Sequence, residues 1–221
     1  MSIWLILALL FAVLEAIAVS KNIRHLEYIA KPAVMLCLFV WLSTHTGLQG
    51  EAFWFGLGIL FCLVGDLFLM FPSDRMFLFG LMAFLFAHIV YIPGFHGAWA
   101  AANAWSWVVI ALIALNATYF LRRFVAAIYR QGKNSLVVPI LVYGIVISVM
   151  LYAALSTLQD PAWKRNAAWL ASAGALLFVA PDMVLAWTKF VAPAKNRRVW
   201  NIVLYHLGQI GLTAGVISQF G

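Results

Sequence analysis

Three acidic residues stand inside long apolar runs of this chain: Glu15, Asp66 and Asp182. A carboxylate near the centre of a bilayer costs about 3 kcal/mol or more, so such residues face a protein interior and mark a site. Desolvation penalises the anion over the neutral acid, and two carboxyls sharing one site do not ionise independently. One can hold a proton while the other is charged, and that pair performs acid–base hydrolysis with neither nucleophile nor metal. Acid-labile groups such as vinyl ethers and acetals suit it. The same pair could carry protons in a transporter or lipid conduit, or pair with Lys31 or tyrosines in a non-catalytic scaffold, and the residues alone leave these readings open.

Other polar residues gather at a similar depth. Lys31 stands beside Pro32 at the expected start of the second helix, Asn116 in the inner half of the fifth, and Tyr143 about two turns into the sixth. Tyr205, His206 and Gln209 share the first half of the eighth. Their convergence points to a polar pocket open to the cytoplasmic leaflet. His88 and Tyr91, on a helix of opposite direction, are expected in the outer half, at the deep end of that cavity or in a bond between helices. Gly65 before Asp66 permits close approach of another helix, and Pro181 before Asp182 should bend its helix and free a carbonyl near Leu177.

The elements that must hold these groups are membrane helices. Of 221 residues, 66% are hydrophobic and 10% charged, far fewer charges than a soluble domain carries. Runs of about 20 apolar residues fall near 2–19, 32–47, 52–71, 76–92, 99–121, 135–157, 166–188 and 199–219. The expected fold is all-α, a polytopic bundle of eight transmembrane helices in a single domain spanning 1–221. The N-terminal run has no basic leader and reads as a retained helix.

The net charge of +7 is gathered in short gaps between apolar runs, which argues for membrane orientation and against a nucleic-acid partner. Lys21, Arg24, Lys31, Arg75, Arg122, Arg123, Arg130, Lys133, Lys189, Lys195, Arg197 and Arg198 fall in odd-numbered gaps; only Lys164 and Arg165 fall in an even one. Both termini are then expected on the non-cytoplasmic side, in a membrane of the bacterial inner-membrane type. Trp41, Trp54, Trp99, Trp163, Trp187 and Trp200 are expected as interfacial anchors. Cys37 and Cys62 lack metal-ligand spacing and read as small apolar residues.

"GILFCLVGDLFL" and "GALLFVAPDMVL" echo each other: Gly58 precedes Asp66 by the spacing that separates Gly174 from Asp182, and a leucine follows each by three. The echo suggests two parallel four-helix halves. Soluble-enzyme motifs (G-x-S-x-G, Walker A, H-E-x-x-H) and the HxxxxD acyltransferase pattern are missing, and no metal or cofactor is implied.

The runs "KP" at 31–32, "GDLFLM" at 65–70, "GLMAFLFAHIVYI" at 80–92, "VPILVY" at 138–143, "GALLFVAPD" at 174–182 and "YHLGQ" at 205–209 together resemble the YhhN-like family of integral-membrane lysoplasmalogenases, over nearly the whole chain. The resemblance departs at Pro181, where the family commonly has a small polar residue. It implies hydrolysis of the vinyl-ether bond of a lysophospholipid to a fatty aldehyde and a glycerophosphoethanolamine or glycerophosphocholine. It implies Asp66 and Asp182 as the catalytic core, with Lys31, His88, Tyr143 and Tyr205 around them. Glu15, Asn116 and Gln209 complete the supporting set by depth. Lys31 is expected to hold the lipid phosphate, and Phe84 and Phe178 to line a slot for the alkyl chain.

Overall fold

Backbone polar groups in hydrocarbon must be satisfied within their own segment, so each apolar run folds as a helix. The structure, a computed structural model, describes residues 2–95, 103–192 and 197–221. The helices are α1 (Ile3–Ser20), α2 (Arg24–Thr46), α3 (Ala52–Leu69), α4 (Asp74–Gly94), α5 (Ala104–Arg130), α6 (Val137–Ser156), α7 (Arg165–Phe190) and α8 (Arg197–Phe220). Single 3-10 turns flank α6 at Asn134–Leu136 and Thr157–Gln159. Trp99, Lys195 and the expected start of the fifth helix at 99 lie outside the described residues.

Seven helical segments are long and apolar enough to cross a membrane. The other, α8, spans 24 residues but is more polar, because it carries Tyr205, His206 and Gln209 into the interior. The protein is an all-α integral membrane protein. Sequential helices pack as α1 with α2, α3 with α4, α5 with α6 and α7 with α8, while α8 also touches α1, α2 and α3, and α4 reaches α6. Helix α5 is peripheral, resting on α6 and α7.

Packing is closest between α7 and α8. Added Cβ atoms at Gly174, Gly208 and Gly215 would each strike the facing helix backbone, so only glycine permits this approach. The seam fixes α7, and with it Asp182, against α8.

Several expectations need correction. Helix α2 begins at Arg24, not at 32, and Lys31 is inside it; Pro32 sits in the helix interior. Neighbouring helices make an internal proline tolerable in a membrane helix. Arg122, Arg123 and Arg130 belong to α5, which runs nine residues past its expected end. Helical assignment also continues through Pro181. Trp41 and Trp163 are buried in protein, and Trp163 packs against Phe95 and Phe220. Trp54 and Trp200 are exposed. Both cysteines are buried and free.

Candidate active site

Asp66 points inward from α3 and is 1% exposed. Its Oδ1 lies 3.1 Å from the Lys31 ammonium on α2, and its Oδ2 accepts a 2.7 Å hydrogen bond from the Tyr205 hydroxyl on α8. A buried charge persists only when paired and hydrogen-bonded, and both conditions are met here for an ionised Asp66. The position depends on Gly65, where a Cβ would run into the Phe84 ring of α4. Lys31 thus meets the carboxylate from the cavity wall.

Asp182 has different surroundings. Its Oδ2 accepts from the Tyr143 hydroxyl of α6 at 3.1 Å, and the His88 Nε2 of α4 stands 3.5 Å from the same oxygen. Among the described residues no lysine or arginine pairs with it. His88 is fully buried, stacks on Phe178 with ring centroids 4.7 Å apart, and places Nδ1 2.7 Å from the Phe84 carbonyl. A carbonyl oxygen only accepts, so Nδ1 carries a hydrogen. Neutral His88 then turns a bare Nε2 toward Asp182, and that atom has no hydrogen-bond partner. A proton on Asp182 or on Nε2 is what would join them, since two acceptors at this separation repel.

Both carboxyls border one cavity, together with Lys31, Tyr205, Phe84 and Asn201. Tyr143 and Asp182 also border a second, apolar cavity on the other side of α7. Phe84 thus lines the polar chamber, and Phe178 is a buried partner of His88; neither lines the apolar cavity.

The remaining expected residues separate into two groups. Glu15 of α1 bonds to His206 Nε2 on α8, wholly buried, leaving Glu15 Oε1 and His206 Nδ1 without partners. Gln209 accepts from Tyr91 at 2.9 Å and donates to Cys62 Sγ at 3.2 Å. These two clusters support α8 from either side without touching an aspartate. Asn116 is not in the site. Its amide bonds back to the Leu112 carbonyl of its own helix, in an outer groove of α5, α6 and α7.

Asn201 was not among the expected site residues. Asn201 lies four residues before Tyr205, on the same helical face, and its buried Oδ1 is unpartnered at the cavity wall. That spacing was the available signal.

The geometry defines an integral membrane protein with two differently supported carboxyls on a common internal cavity. The model of the YhhN family matches residues 26–216, and the chain belongs to that family. It is 28% identical over 192 residues to the Mus musculus protein named lysoplasmalogenase TMEM86B, covering 86% of this chain and 74% of that one. The Homo sapiens proteins named lysoplasmalogenase TMEM86B and TMEM86A are 25% and 28% identical, over 85% and 84% of this chain and 73% and 75% of theirs. No solved structure matches.

Proposed function

We propose that this protein is a lysoplasmalogenase-like hydrolase, acting on alkenyl lysophospholipids and releasing a fatty aldehyde and glycerophosphoethanolamine or glycerophosphocholine. The observation that carries the reading is the contrast between the two carboxyls on one cavity: Asp66 held by a cation and a hydroxyl, Asp182 by a hydroxyl and a bare imidazole nitrogen. Membership of the family and the names of the relatives support the choice of bond.

Asp182 is the acid. It transfers its proton to the vinyl carbon remote from oxygen, and the carbon attached to oxygen becomes an oxocarbenium ion. Ionised Asp66 stabilises that cation and takes a proton from the water that attacks it. The hemiacetal then collapses to aldehyde and alcohol as its hydroxyl proton passes to Asp182 and the proton on Asp66 passes to the leaving glycerol oxygen. One water is consumed and both carboxyls regain their starting states. Tyr205 and Lys31 orient Asp66, and Tyr143 and His88 orient Asp182.

The test supplies purified protein in detergent with alkenyl-lysophosphatidylethanolamine, or with the acyl analogue as control, and follows aldehyde by mass spectrometry. Aldehyde is expected from the alkenyl lipid alone. Asp66→Asn and Asp182→Asn, with wild-type thermal unfolding, should each lose about 10²-fold or more. A bell-shaped dependence of kcat/KM on pH is expected, since one carboxyl acts protonated and the other ionised. Absence of aldehyde from folded wild type over a range of pH would sink the reading.

A further inference from the structure

Asp182 and Leu185 stand on the wall between two cavities of opposite character. On one side is the chamber holding Lys31, Asp66, Asn201 and Tyr205. On the other, α4, α5, α6 and α7 line an apolar pocket with such residues as Leu81, Phe124, Gly144, Ile147, Ala186 and Phe190. The polar side-chain groups on that second wall are the Tyr143 hydroxyl and the Asp182 carboxyl, both at the end facing the chamber.

From this adjacency we infer that the apolar cavity is the subsite for the substrate's single hydrocarbon chain, and that it sets chain-length preference. The inference rests on the proposed hydrolase reading. A lysolipid is a polar head joined to one chain, and here a polar space and an apolar one share Asp182 and Leu185 on their walls. Seating each part in its like places the connecting C=C–O group beside Asp182. The remote vinyl carbon, which belongs to the chain, then falls on the Asp182 side and the glycerol oxygen toward Asn201. A chain seated there keeps its methylenes in apolar surroundings, which the chamber of Lys31 and Asp66 does not offer.

The same arrangement disfavours two-chain lipids. A second chain would have to enter the smaller chamber against Lys31 and Asp66. The outer groove that holds Asn116 is larger and apolar, but neither aspartate borders it.

Gly144 and Ala186 are small residues on the slot wall. A Cβ on Gly144 would meet the flexible end of Leu121 at 2.9 Å, so a larger side chain there fills the slot and leaves helix backbones in place. Gly144→Leu and Ala186→Phe should shift the ratio of kcat/KM for a hexadecenyl over an octenyl lysolipid about tenfold or more toward the short chain. Octenyl turnover also reports an intact fold. An unchanged preference in both active variants would overturn the inference.

Binding is read independently of catalysis. A non-hydrolysable alkyl-lysophosphatidylethanolamine with a diazirine at its chain end should label Phe124, Phe190 or their neighbours by mass spectrometry, competed by unlabelled lysolipid. Competed label confined to the Asn116 groove, with hydrolysis intact, would overturn the slot and leave the hydrolase reading standing. Competed label in the slot without aldehyde release would uphold the slot and remove the hydrolase. Neither competed label nor aldehyde would remove both.

Discussion

At the scale of single residues, identical side chains acquire different work from their neighbours. Asp66 and Asp182 are the same chemical group, yet one faces an ammonium and the other a bare imidazole nitrogen. Lys31→Met should destabilise the protein by about 3 kcal/mol, because it strands a buried anion. Adding Asp66→Asn to it should restore much of that loss while activity stays absent. A double-mutant cycle of unfolding temperature in detergent checks the coupling, and additive losses would show that Lys31 and Asp66 stand apart in solution. For His88 the informative change is His88→Phe, which keeps a ring on Phe178 and removes Nε2. The expected loss is about 10²-fold in kcat with KM little changed, together with an altered pH profile. An unchanged profile would assign His88 to packing alone.

At the scale of elements, the number of helices was legible because hydrocarbon demands about 20 apolar residues per span. Their inward faces were not. A helix bathed in lipid is apolar all round, so periodicity does not mark the buried side. Asn116 illustrates the point: a bond to the Leu112 carbonyl let it satisfy its amide while lining an outer groove. Pro32 misled for a related reason, since proline usually marks the first helical turn in soluble proteins, whereas here it lies within α2. The stripe of small residues between α7 and α8 carries a prediction of its own. Gly208→Ala should lower the unfolding temperature despite alanine's better helix propensity, because its Cβ would lie 2.5 Å from the Phe178 backbone nitrogen. Overpacking of this kind costs about 1–3 kcal/mol. Activity should fall with it as α7 shifts relative to α8, and a stabilised, fully active variant would show the seam to be slack.

At the scale of the whole molecule, the sequence echo around the two aspartates acquires a spatial counterpart. Asp66 on α3 takes partners from α2 and α8, and Asp182 on α7 takes partners from α6 and α4. Advancing each helix by four converts the first set into the second, with α8 and α4 exchanged, which supports the reading of two parallel halves that lend each other their last helix. This crossing could not be read from sequence, because it joins Tyr205 to Asp66 and His88 to Asp182, pairs far apart along the chain. Orientation then decides which leaflet the site serves. Ion pairs between Arg198 and Glu27 at 2.8 Å and between Lys189 and Asp74 at 3.3 Å stand at the end that also carries Lys21, Arg24 and Arg75. Asn201 and Leu69, on the wall of the polar chamber, lie near this same end. On the positive-inside rule we propose that this end is cytoplasmic, with substrate drawn from the cytoplasmic leaflet. In sealed right-side-out vesicles, a membrane-impermeant maleimide should label Gln159→Cys and spare Ser73→Cys, with the native cysteines shielded by burial. The reverse pattern would turn the chamber to the outer leaflet and require lysolipid to be supplied from outside the cell.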